Sequence, residues 1–125
     1  MRLSILGLLA ACSLMIVSAH HSFDAEYDSN KTANLSGVVT KVDWVNPHAY
    51  VSFSYKDEGG ALKTFTLELG PPYALTRGGW KRDSVKIGDK VTVEGAALAK
   101  DGSNSAGSLP TTMMVLATGQ KLVMR

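Results

Sequence analysis

A single cysteine, Cys12, stands in this 125-residue chain, which excludes an intramolecular disulfide as a staple. No run of Lys and Arg is present, and 13 basic residues meet 11 acidic ones. Without a basic footprint, nucleic-acid binding is excluded as a leading role. Catalytic signatures are missing as well: no HExxH pair, no phosphate-cradling glycine loop, and no nucleophile elbow around a serine or cysteine. Asp43 and Glu68 are able to face one another across strands, but carboxylates so placed with lysines nearby are ordinarily surface pairs. The sequence therefore predicts a protein that binds rather than one that catalyses. Long apolar runs are scarce too. The one that exists, Leu3 to Val17, is interrupted by Ser4, Gly7, Cys12 and Ser13 and falls short of the roughly 20 residues a membrane helix requires.

That run is what an export signal looks like. Met1-Arg2 gives a short positive start, the apolar stretch follows, and Val17-Ser18-Ala19 closes it with a small residue at the end. Cleavage after Ala19 predicts a periplasmic or secreted product that begins at His20. The rival reading is a lipobox at Leu9-Ala10-Ala11-Cys12, which would lipidate Cys12. Against it, the apolar run continues through Leu14-Met15-Ile16-Val17 instead of passing into a polar tether. Removal of residues 1–19 leaves 106 of the 125 residues, one compact domain's length. Arg2 leaves with the signal, so 12 basic residues then face the 11 acidic ones. Cys12 leaves as well, and the domain enters an oxidising compartment with no disulfide.

The remaining chain reads as strands separated by turn chemistry. Asn34 to Val45 is rich in β-branched residues, with Val38, Thr40, Val42 and Trp44 spaced to share one side. Gly37 within it predicts a bulge or a sharp bend, and Asn46-Pro47 ends the ladder. A second strand alternates Ala49, Val51, Phe53 and Tyr55 against Tyr50, Ser52 and Ser54. Asp57-Glu58-Gly59-Gly60 is a hairpin turn, and Leu62 to Leu69 returns with Phe65, Leu67 and Leu69 on one face. After Gly70-Pro71-Pro72, Tyr73 to Arg77 is long enough for one helical turn, with Gly78 as a left-handed stop. Val91 to Gly95 is a fourth strand and Thr111 to Ala117 a last one, followed by a short arm from Lys121 to Met124. The Gly/Ser/Asn-rich stretch from Gly102 to Ser108 reads as a loop. Three meandering strands, a short helix and two further strands predict an all-β domain, a small five-stranded OB-like Greek-key barrel with its helix between strands three and four.

Several short motifs follow one another in order: Ala19-His20-His21-Ser22-Phe23, Asn46-Pro47-His48, Glu68-Leu69-Gly70, Arg77 with Gly79-Trp80, Gly88-Asp89-Lys90-Val91-Thr92-Val93-Glu94-Gly95, and Ala99-Lys100-Asp101-Gly102-Ser103. Together they resemble a family of small exported bacterial proteins described as a domain of unknown function, from which the chain departs at Tyr73. The resemblance implies export and a small β-domain, and brings no activity with it.

Function must then be argued from side chains. All three histidines lie in two segments: His20 and His21 at the predicted mature start, and His48 in the loop between the first two strands. A terminal histidine grips a metal through its α-amine and imidazole together, and imidazole suits copper and zinc. His20, with His48 and with His21 as an extra or alternative ligand, thus forms a candidate copper site, and Asp24 and Glu26 are candidate oxygen ligands. Such binding requires neutral imidazoles and weakens as pH falls through the ordinary histidine range near 6.5. The plainer reading is a solvated tail and a loop histidine bonded to a backbone carbonyl. Trp44, Tyr50, Tyr73, Arg77 and Trp80 form a candidate ligand groove, against which stands ordinary packing of the two tryptophans. The alternative to metal binding is an envelope module that engages a protein partner through a barrel edge and its aromatic surface.

Overall fold

The computed structural model describes residues 22–125. The predicted signal, Cys12, His20 and His21 lie outside the described residues. A helical stretch at residues 22–26 leads into β1 (Tyr27–Asp43), β2 (Tyr50–Lys56) and β3 (Leu62–Glu68). The short helix Pro72–Arg77 follows, then β4 (Lys90–Ala99), β5 (Ser105–Gly107), β6 (Met113–Leu116) and β7 (Lys121–Val123). The strands are ordered β1-β2-β3-β5-β4, and β1 returns to pair with β4. That closes a five-stranded mixed barrel, parallel only at β3–β5. With its helix between β3 and β4 this is the OB-like Greek key that the strand order predicts. Among the described residues no helix is long and apolar enough to cross a membrane.

The core follows the alternation in β2 and β3. Val51, Phe53, Phe65 and Leu67 point inward and are buried, and Phe53 stacks on its register partner Phe65 at 5.8 Å between ring centroids. Burial of each such side chain contributes about 1.5–3 kcal/mol. The turn between the two strands is held by Asp57, whose Oδ1 accepts the Ala61 N–H, and by Gly60 at φ +81°.

β1 departs from the expected single face. Val39 is the core residue, while Val38 and Thr40 face outward. Thr40 is an extra residue, because pairing passes from Val39↔Phe53 directly to Lys41↔Ser52. One inserted residue exchanges the two faces of a strand, so Val42 and Trp44 beyond it do pack on the core. Gly37 is not itself the bulge: it stays in register with Val91. A Cβ there would collide with the Ser54 carbonyl oxygen and the Phe53 ring, so glycine permits the close approach where β1 passes between β4 and β2. A second bulge falls on β4, where Glu94 and Gly95 oppose Asn34; Gly95 has φ +72° and donates its N–H to Asn34 Oδ1.

The fifth barrel position is also built differently from the expectation. Ser105–Gly107, inside the stretch read as a loop, pairs with Thr66–Glu68 on one side and Ala97–Leu98 on the other. The chain then leaves β4 over residues 108–112 and returns to it as β6. The buried Thr112 pins this excursion by donating to the Gly95 carbonyl and accepting the Leu109 N–H. β6 is the last strand expected from Thr111 to Ala117, and the predicted arm is β7 against it. In the helix, Leu75 is buried. Gly78 is not left-handed, at φ −80°; Gly79, at φ +105°, makes that turn one residue later. Trp80 then enters the core, and its indole N–H donates to the Val123 carbonyl at 2.6 Å.

Candidate functional site

His48 is placed by the ladder that extends β2 backward. Ala49 N–H donates to the Gly70 carbonyl and Leu69 N–H to the Ala49 carbonyl. Ala49 is buried, so period-two alternation turns His48 and Tyr50 to the outside, the side on which Glu68 lies. There His48 Nδ1 meets Glu68 Oε1 as a hydrogen-bonded pair, and the Tyr27 hydroxyl donates to the other oxygen, Oε2, at 2.6 Å. The Glu68 side chain is 15% exposed and that of His48 44%. A mostly covered carboxylate thus orients a half-open imidazole. With Nδ1 committed to Glu68, Nε2 is the nitrogen left to meet a ligand.

Two tyrosines flank the carboxylate. Burial first, then the hydrogen bond and negative charge of Glu68, raise the Tyr27 hydroxyl far above the ordinary tyrosine range. Burial, and then the charges of Glu68 and Glu26, raise Tyr50, the register partner of Glu68. Tyr27 therefore remains a proton donor to Glu68 throughout the physiological range. The sign of the linked stability follows. Unfolded tyrosine ionises near pH 10, whereas native Tyr27 keeps its proton beyond that point. Stability is fully present below pH 10 and is lost as pH rises above it, at about 1.4 kcal/mol per pH unit for each retained proton. We expect urea unfolding midpoints to fall between pH 10 and 11.5. Tyr27→Phe should be less stable at neutral pH but decline less steeply, and equal slopes for the two proteins would refute the linkage.

The N-terminal segment is fastened over this site. The Phe23 ring lies 5.1 Å from that of Tyr27, and the Arg125 guanidinium is 5.3 Å from the Phe23 centroid. Lys100 holds the segment twice, through its N–H to the Glu26 carbonyl at 2.9 Å and through Nζ to the Asp24 carbonyl. Gly107 makes room beneath: a Cβ there would lie 2.6 Å from the Tyr27 ring and 2.7 Å from that of Phe23. Ser108 Oγ donates to the Glu68 carbonyl at 2.6 Å, tying the end of β5 to the same residue.

The other candidates fall in separate places. Trp80 is 2% exposed, with Trp44 packed beside it at 6.3 Å between ring centroids. Tyr73 is an exposed side chain on the helix, with the Arg77 guanidinium 5.8 Å from its ring centroid. Only Tyr50 of that set adjoins His48 and Glu68. Asp43 and Glu68 do not face one another, because Tyr50 is the register partner of both and lies between them; Asp43 pairs with Lys41 at 3.3 Å. Asp24 and Glu26 are exposed on the N-terminal segment. Among the described residues no three His, Cys, Asp or Glu side chains are grouped to hold a metal ion. The residues that sequence reasoning missed are Tyr27 and Glu68 as supports of His48. Only the outward alternation of Glu68 in β3 hinted at them.

No curated protein and no solved structure matches the chain. A family model does, and it covers residues 8–108, most of the sequence. The chain belongs to a family of unknown function, DUF6152.

Proposed function

We propose that this is an exported, non-catalytic binding module that holds a transition metal, copper in the first instance, between His48 and the terminal histidines His20 and His21. The observation that supports it most is the Tyr27–Glu68–His48 chain of hydrogen bonds. Metal-ligating histidines characteristically give their second ring N–H to a carboxylate, which fixes the tautomer and raises ligand basicity. Here Glu68 accepts from Nδ1 and leaves Nε2 for the metal. The segment that follows the other two histidines in sequence reaches this site: Phe23, two residues after His21, packs on Tyr27. After cleavage behind Ala19, the α-amine and imidazole of His20 would supply two ligands and His48 Nε2 a third. Nitrogen ligands in that number suit copper(II).

The test is titration of the protein beginning at His20 with Cu(II) against a competing chelator. One equivalent should bind with sub-micromolar affinity, and His48→Ala should weaken it by about 100-fold or more, beyond what loss of a supporting residue costs. Micromolar or weaker binding that His48→Ala leaves unchanged would overturn the proposal. A fixed protein partner recovered from envelope extracts, together with no metal, would replace it by the partner-binding alternative.

A further inference from the structure

At the opposite end of β2 from His48, the β2–β3 hairpin, the middle of β1 and the start of β4 meet the end of β6 around an open trough of about 670 Å³. That volume lies within the ordinary range of small-molecule sites, about 300–1,000 Å³. Its walls are mainly apolar, with Val38, Tyr55, Leu62 and Leu116 among them. Two of these apolar residues stay open to solvent, Leu62 at 71% and Val38 at 38% exposed. Apolar side chains this open and this close together on a small domain mark a surface meant to be covered.

Charge says by what. Lys56 and Lys90 line the trough and no carboxylate does. The acidic residues next to them in sequence are engaged elsewhere. Asp57 pairs with Lys63 at 3.4 Å and accepts the Ala61 N–H, and Asp89 accepts the Lys86 N–H. The serine and threonine hydroxyls are engaged: Ser36 bonds Thr92 at 2.9 Å, and Ser54 bonds the Val38 carbonyl. The β1–β2 ladder ends at Val38↔Ser54, which opens the trough, while β4 beside it is paired on both sides, with β1 at Gly37 and Val38 and with β6 at Leu116. Two lysines without a wider basic surface do not suit a nucleic acid.

We infer that this trough binds a free single-chain anionic amphiphile, a long-chain fatty-acid carboxylate, with the tail along Val38, Leu62 and Leu116 and the headgroup at Lys56 and Lys90. The site shares no residue with the His48 cluster and stands or falls independently of metal binding. The test uses the dansylated fatty acid 11-(dansylamino)undecanoate with the protein beginning at His20. Its fluorescence should rise on saturable binding, and laurate should displace it while dodecanol, of equal length and no charge, does so poorly. The double variant Lys56→Gln/Lys90→Gln should bind about tenfold more weakly at an unchanged urea midpoint. Leu62→Glu, on an exposed position, should abolish binding and leave the fold intact. The inference is overturned if no saturable binding is seen, if dodecanol competes as well as laurate, or if the protein binds only anionic phospholipid vesicles and not the free acid.

Discussion

Trp80→Ala should lower the stability of the domain by about 3–5 kcal/mol. In a protein of this size that is a large part of a total in the range of about 5–15 kcal/mol. Trp80 is 2% exposed and belongs to the main core with Leu75 and Val85. Truncation therefore removes its burial and leaves a cavity that the surrounding strands cannot fill. It also orphans the Val123 carbonyl, which the indole N–H satisfies at 2.6 Å, and frees β7 from the segment that follows the helix. A domain of about 100 residues loses roughly 4–8 °C of Tm per kcal/mol, so calorimetry should place the variant about 20 °C below the parent. Trp80→Phe keeps most of the bulk and loses the hydrogen bond, and should cost about 1–3 kcal/mol. The pair of variants also decides the role of this tryptophan. Were Trp80 the wall of an open ligand groove, alanine would change stability by only about 0.5 kcal/mol, as surface substitutions do. A near-neutral Trp80→Ala would thus overturn the core assignment.

What the sequence made legible was whatever repeats locally. β2 and β3 alternate cleanly because one side of each faces the core and the other faces out, so Val51, Phe53, Phe65 and Leu67 could be assigned from spacing alone. β1 could not, because Thr40 inserts one residue and inverts the faces, and nothing in Gly37-Val38-Val39-Thr40 says where a bulge falls. β5 was illegible for a different reason. Ser105-Ala106-Gly107 has the composition of a loop, and Gly107 is there because the rings of Tyr27 and Phe23 occupy the place of its side chain. That requirement is set by residues some eighty positions away. The first turns of β1, Tyr27 to Ala33, are likewise polar and turn-like, and become a strand only by pairing Tyr27 with Ala99 and Thr32 with Ala97. The same distinction governs the site. His48 was visible as a histidine on the loop an OB-like barrel uses. Its supports were not: the β2–β3 ladder sets Glu68, 20 residues away, beside His48, and barrel closure through β4 brings in Tyr27, 41 residues from Glu68.

Glu68→Gln is the substitution by which the proposed metal site is most exposed to test, because it changes one atom's chemistry and almost no volume. The carboxylate accepts twice, from His48 Nδ1 and from the Tyr27 hydroxyl at 2.6 Å. A glutamine offers one carbonyl oxygen and one NH₂ donor. If the oxygen turns to Tyr27, the NH₂ faces His48, and the imidazole relieves the conflict by moving its proton from Nδ1 to Nε2. That blocks the nitrogen assigned to the metal. If the oxygen turns to His48, the buried Tyr27 O–H is left facing a donor, at a cost of about 1–3 kcal/mol. Copper affinity should therefore fall by about 10–100-fold. The loss should be accompanied by a change that a merely structural role would not produce: imidazole ¹⁵N shifts should report His48 moving from the Nδ1–H to the Nε2–H tautomer. Tyr27→Phe is the necessary control. It removes one donor from Glu68 and leaves the other acceptor on His48, so it should weaken copper binding less than Glu68→Gln while destabilising the domain comparably. Copper binding at parental affinity in Glu68→Gln, or an unchanged His48 tautomer, would break the link between this carboxylate and a metal. The hydrogen-bond chain would then be a device for closing the barrel over β5.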